Sequence, residues 1–194
     1  MKKKKKTKKK VSIQFNWKKY GRLLILIDNA NIIHAFSTLK FKLDHKKFRD
    51  YFKKRGRLKR IYLYTAFIKS HAPQKTFLEM MSRFGITLRT KAVKFIKLKN
   101  GRVQLKGDLD IEIAIDMFEC LSDFDTAVLL SGDSDFAPLA NWLHTKSKKI
   151  VVISTRPHIS RELVRSADKF IDLGKFRRYW GLKKNHPDSR RGRN

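Results

Sequence analysis

Four short apolar runs constrain what this chain can fold into. RLLILI at 22–27, IYLYTAF at 61–67, VLLS at 128–131 and IVVIS at 150–154 are all of strand length and are not broken by regular polar alternation. A strand with one wet face alternates apolar and polar residues, whereas an unbroken run is buried on both faces, as in a parallel sheet covered by helices. Helical patterns fall between the runs, near 45–54, 74–84, 110–122, 136–145 and 160–167. Strands alternating with helices of this length predict an α/β fold with a parallel, doubly wound sheet. FIKLKNGRVQLK at 95–106 departs from that alternation. Ile96 and Leu98 alternate with Lys97 and Lys99, Asn100-Gly101 follows, and Val103 and Leu105 alternate with Arg102, Gln104 and Lys106. Asn-Gly between alternating runs signals a β-hairpin. Its apolar face is expected on the core. Its basic face would be either a clamp on a nucleic-acid backbone or a lysine-blunted sheet edge.

The 194 residues are enough for one domain with a real core and no disulfide staples. Cys120 is the only cysteine, so no disulfide forms within the chain, which suits a reducing compartment. The longest apolar runs fall far short of the roughly 20 residues that cross a bilayer, and no apolar stretch of the signal-peptide kind follows the lysine-rich start. The expectation is a soluble, unsecreted, cytoplasmic protein with no membrane partner, its oligomeric state open and a homodimer among the possibilities. The formal net charge is +30. Residues 1–20 hold ten lysines and no acid, and residues 175–194 hold eight Lys or Arg against Asp188 alone. These flanks are expected to be a basic N-terminal arm (1–20) and a basic C-terminal tail (175–194) around a folded domain at 21–174. The aromatic residues in them, Phe15, Trp17 and Tyr20, then Phe176, Tyr179 and Trp180, would either stack bases or pack the termini onto the core, and packing is the reading adopted. Such a charge points to a polyanionic partner, nucleic acid above all.

The acids run the other way. Nine of the seventeen Asp and Glu lie between Asp108 and Asp135, and no Lys or Arg occurs from Gly107 to Thr145, where a random scatter would place about nine. Carboxylates kept clear of basic neighbours in sequence are expected to be held by something other than ion pairs, and a divalent cation fits. Two of the runs end in acid, RLLILI in Asp28 and AVLLSG in Asp133-Ser134-Asp135. In a parallel sheet such residues share the carboxyl edge, where ligands bind. A third group comes from Asp108-Leu109-Asp110, opening a helix whose Ile111, Ala114, Ile115, Phe118 and Leu121 are expected to be its buried stripe. Asp110 lies at or near the helix N-cap. Taken singly, these acids read as caps and turns, and Glu112, Asp116, Glu119 and Asp123 as a solvated face; jointly they read as a metal site.

Asp28-Asn29-Ala30-Asn31 after the first run, Lys106-Gly107-Asp108-Leu109-Asp110 with Asp116 six residues on, and Leu130-Ser131-Gly132-Asp133-Ser134-Asp135-Phe136 resemble the NYN domain, a branch of the PIN-like ribonuclease superfamily. The three motifs occur in the family's order, and the match spans about Arg22 to Leu173. The resemblance implies a Rossmann-like, PIN-like three-layer sandwich around a central, mostly parallel sheet. It also implies an aspartate cluster that binds Mg²⁺ or Mn²⁺ for RNA hydrolysis.

A metal-dependent ribonuclease is the resulting expectation, with RNA, single-stranded or structured, as partner. Asp28, Asp110 and Asp133 are expected as metal ligands, with Asp135 and Asp116 acting through water or by orienting neighbours. Asn29, Asn31 and Ser131 would hold phosphate or water, and Lys106, Lys97, Lys99 and Arg102 would contact the RNA backbone. Hard carboxylate oxygens suit Mg²⁺ or Mn²⁺, and the six histidines show no close pair with zinc spacing. One alternative keeps the fold as an RNA-binding module with little or no catalysis. A phosphatase of the haloacid dehalogenase type wants an acid two residues after the first, where Ala30 stands. A sugar-nucleotide transferase would rest on Asp133-Ser134-Asp135 alone, and no glycine-rich phosphate loop supports nucleoside-triphosphate hydrolysis.

Overall fold

A computed structural model describes residues 15–68, 71–97 and 101–182. The lysine-rich start, Leu98, Lys99 and Asn100 of the hairpin, and the chain beyond 182 lie outside the described residues. In chain order the elements are β1 (Arg22–Asp28), α1 (Asn29–Thr38), α2 (His45–Arg55), β2 (Arg57–Phe67), α3 (Ala72–Arg83) and β3 (Thr87–Ala92). The hairpin β4 (Lys94–Lys97) and β5 (Val103–Lys106) follows, then α4 (Asp110–Glu119), β6 (Thr126–Leu130), α5 (Ala137–Thr145) and β7 (Lys149–Ser154). The chain closes with α6 (Arg161–Ser166), β8 (Lys169–Asp172) and α7 (Arg177–Trp180). No helix among the described residues is long and apolar enough to cross a membrane.

The apolar runs are β1, β2, β6 and β7, at the centre of one six-stranded sheet ordered β3-β2-β1-β6-β7-β8. Every pairing in it is parallel. Alternate side chains of each run go to opposite faces. Leu23, Ile25 and Ile27 of β1 pack with Phe48, Tyr51 and Phe52 of α2. Leu24 and Leu26 pack with Ile113 and Met117 of α4 and Leu143 of α5. Both faces are therefore covered, giving the expected three-layer α/β sandwich. Each fully buried Leu or Ile contributes roughly 2 kcal/mol.

Three elements give no sequence signal. The edge strands β3 (TLRTKA) and β8 (KFID) are short and flanked or interrupted by charged residues, as suits a sheet edge, so they lack the long apolar run that marks central strands. α1 buries only Ile32 and Ala35, too few for a clear helical period.

The packed body reaches past both expected domain limits. Trp17 and Trp180 are fully buried and belong to the core. The Trp17 indole N–H donates to the Tyr51 hydroxyl at 3.2 Å, and Phe176 and Trp180 stack with ring centroids 4.0 Å apart.

The expected buried stripe of α4 is overturned. Ile111, Ile115 and Phe118 are 72%, 46% and 47% exposed, while Ile113, Asp116 and Met117 face the sheet. The helix carries two apolar faces at helical spacing, and periodicity alone does not say which of them docks. The solvated face expected of Glu112, Asp116, Glu119 and Asp123 fails with it, because Asp116 is 2% exposed. The hairpin forms as an antiparallel pair, with Phe95 opposite Leu105, but as a two-stranded sheet separate from the main one. Its tip turns through Gly101 at φ 77°, a conformation that glycine adopts without steric cost.

Candidate active site

Strand order reverses between β1 and β6: from β1 the chain proceeds to β2 on one side, and from β6 to β7 on the other. In an open parallel sheet such a switch point leaves a crevice beyond the carboxyl ends of the two strands. Asp28 ends β1 at this crevice, and Ser131-Gly132-Asp133 leaves β6 beside it.

The Asp28 carboxylate is buried and fixed at both oxygens. Oδ1 accepts the Asn31 backbone N–H at 3.2 Å, capping α1, and Oδ2 accepts the Ser131 hydroxyl at 2.9 Å. Ser131 Oγ in turn accepts the Asp133 N–H at 3.2 Å, and Asn31 Oδ1 accepts the Gly132 N–H at 2.9 Å. Asn29 Nδ2 donates to Thr65 Oγ1 on β2 at 3.1 Å. Asn29, Asn31 and Ser131, expected to hold phosphate or water, thus already brace the loops that carry the acids. Gly132 is required by a close approach: a Cβ there would lie 1.6 Å from the His158 carbonyl oxygen.

The third arm arrives from the hairpin. Asp108 Oδ1 accepts the Asp110 N–H at 2.9 Å, and Asp110 is the first residue of α4 rather than its cap, which is Leu109. Burial and then the charges of Asp108, Asp28 and Asp133 push the Asp110 carboxyl up to about 7. Burial also raises Asp28, against the hydrogen bonds from Ser131 and Asn31, and Asp133 adds to the rise. The fold therefore brings Asp28, Asp110 and Asp133 within electrostatic reach of one another. Asp108 joins them, an acid outside the expected ligand set that stands two residues before Asp110 as Asp133 does before Asp135.

Asp135 and Asp116 stand differently. Asp135 is exposed on a 3-10 turn, and its N–H donates to Asp133 Oδ1 at 3.1 Å. Asp116 accepts from Tyr64 Oη at 2.8 Å and pairs with Arg89 Nη2 at 2.7 Å. Lys91 pairs with Glu112 at 2.7 Å and Arg22 with Asp125 at 2.8 Å. The expectation that acids in the base-free window escape ion pairing is thus corrected for these three. Their partners come from β1 and β3, distant in sequence and adjacent in the fold. Lys97 and Arg102 are exposed on the hairpin, and Lys106 closes β5, one residue before Gly107.

The donors fit a hard divalent cation in type and in charge, since four carboxylates share the crevice and two are held above their ordinary pKa there. Among the described residues, no three His, Cys, Asp or Glu side chains stand ready around one metal position.

A family model for the NYN domain matches residues 22–174. The chain is 36% identical over 163 residues to the "Low amplitude and bright protein LabA" of Synechococcus elongatus, covering 82% of this chain and 87% of that protein. It is 26% identical over 155 residues to an uncharacterized protein of Methanocaldococcus jannaschii, covering 79% of this chain and 55% of that one. A crystal structure of a protein of unknown function from Vibrio parahaemolyticus shares the fold, with a TM-score of 0.67 at 24% identity, covering 83% of this chain and 96% of that chain.

Proposed function

The chain belongs to the NYN domain family, a PIN-like, ribonuclease-like group, and from that premise we propose that it is a metal-dependent ribonuclease hydrolysing RNA phosphodiesters. The observation that carries this reading is the convergence of Asp28, Asp110 and Asp133 on the switch-point crevice, where burial and the charges of Asp108, Asp28 and Asp133 raise Asp110, and burial with the charge of Asp133 raises Asp28. Asp28, Asp110 and Asp133 would hold Mg²⁺ or Mn²⁺. When bound, the cation would acidify an attacking water and offset charge growing on the phosphate oxygens.

The chain's own residues do the positioning. Ser131 and the Asn31 N–H hold Asp28 in one orientation, and the Asn31–Gly132 bond ties its loop to that of Asp133. Asp135 anchors the Asp133 turn through its backbone N–H. Asp116, clamped by Tyr64 and Arg89, fixes the face on which α4 docks and thereby the place of Asp110. The Asp110 carboxyl, pushed up to about 7, is only partly ionised at neutral pH and would give up its remaining proton on serving as a ligand. Lys97, Lys99, Arg102 and Lys106 on the hairpin would guide the RNA backbone toward the crevice. A cytoplasmic setting is part of the same proposal.

The test is cleavage of a labelled single-stranded RNA at low salt in Mn²⁺, Mg²⁺ or EDTA, by wild type and Asp133→Asn. Cleavage that needs the metal and is lost in the variant supports the nuclease. A second reading, an RNA-binding module of the same fold, is favoured by the absence of a ready-made metal position among the described residues. Binding without cleavage by both proteins would select it.

A further inference from the structure

A groove of about 1440 Å³ runs along α1, walled on its far side by α3 and closed by α7 and the residues after it. Its lining includes Ile27 and Asn29, the two chain neighbours of Asp28, which places the groove next to the strand end that carries that acid. Its walls are apolar and wet: Ile33 is 54% exposed, Met80 42% and Leu182 50%, with Phe36 and Phe77 between them. His45 packs edge-on against Phe77 at 5.3 Å, and burial lowers its imidazole to about 4, so that wall carries no charge at neutral pH. The rim is cationic, formed by Lys40, Lys42, Arg177 and Arg178, and none of the described lining residues is acidic.

Apolar walls under a basic rim call for an occupant with flat apolar faces joined by anions. An unpaired nucleotide strand has that chemistry, because every base offers a π-face and every linkage a phosphate. A duplex does not, because its bases are stacked inside. We infer that the α1–α3 groove holds the bases of a single RNA strand, with its phosphates on Lys40, Lys42, Arg177 and Arg178, and so selects unpaired RNA for the neighbouring aspartates. The inference rests on the proposed function in taking RNA as the substrate. α1 is ten residues long, about 15 Å, which matches about four stacked nucleotides.

The test uses the full chain in EDTA, where nothing is cut, and reads fluorescence anisotropy of a labelled ten-nucleotide oligouridine, an abasic strand of equal length and a blunt RNA duplex. Ile33→Asn and Lys42→Ala change exposed side chains and keep the core intact. Ile33→Asn is expected to weaken oligouridine binding about five- to tenfold with an unchanged salt slope, leaving the abasic strand and the duplex as in wild type. Lys42→Ala is expected to lower the log–log salt slope for oligouridine by about 0.7. Wild-type affinity of Ile33→Asn for oligouridine, or an equal loss for the abasic strand, would overturn the inference. The two readings fail separately. Loss of base-dependent binding in a protein that never cuts RNA leaves the groove and removes the nuclease; metal-dependent cutting with unchanged Ile33→Asn binding does the reverse.

Discussion

Asp110 carries the clearest electrostatic load in the molecule. Its carboxyl is held at about 7 by burial and by Asp108, Asp28 and Asp133, against about 4 in an unfolded chain. A raised carboxyl disfavours the charged form, so the native state binds the extra proton, and without metal the protein loses stability as pH rises from about 4 to 7. Asp110→Asn should therefore stabilise the metal-free protein at pH 8 by about 1–2 kcal/mol, the full shift being reduced by partial solvent access. The gain should vanish below pH ~4. Urea denaturation in EDTA across this range checks both, and cleavage should be lost in the same variant. Asp116 behaves in the opposite sense. Truncating it leaves the buried Tyr64 hydroxyl and the Arg89 guanidinium without their acceptor. Asp116→Ala should cost about 2–3 kcal/mol by chemical denaturation, and cleavage per folded molecule should fall as α4 and with it Asp110 shift. Asp28, Asp110 and Asp133 were legible as strand-end and helix-start acids. Asp116 was not legible as an ion-paired residue, because Arg89 lies 27 positions away and no local pattern links them.

At the scale of elements, the loop after β6 depends on Gly132. A methyl group there would run into the His158 carbonyl, so Gly132→Ala should cost about 3 kcal/mol and displace Asp133. Its thermal midpoint should fall, and cleavage should fall further than stability alone explains. Leu24, fully enclosed between β1 and the α4 and α5 layer, is the contrasting case. Leu24→Ala should cost about 3 kcal/mol in denaturation without altering the metal dependence of the folded fraction. Central strands and most helices were readable because burial on both faces forces long apolar runs. The edge strands β3 and β8 were not, since an edge is kept short and is flanked or interrupted by charged residues. The docking face of α4 was undecidable from its sequence, which spaces apolar residues on two sides; the Tyr64–Asp116–Arg89 cluster decides it.

For the whole molecule, charge segregation would govern encounter with the proposed RNA substrate. The first ten residues hold eight lysines, so a chain lacking them should bind RNA with a log–log salt slope shallower by at most about 6. Cleavage at saturating RNA should be unaffected, because the aspartates stand at the carboxyl edge of the sheet and none of them belongs to that segment. Titration of binding against salt for the two chains tests this.

The sequence by itself determined the α/β class, the parallel sheet, and the delivery of aspartates to one edge of it, because strand burial and strand direction follow from local residue patterns. Only the tertiary structure decided which acids face each other and which are neutralised. Arg89, Lys91 and Arg22 reach across the sheet to acids that are isolated in sequence, and through-space charge pairing depends on packing. The groove beside Asp28 has the same origin, since its walls come from α1, α3 and α7, three segments that meet only when the chain is folded.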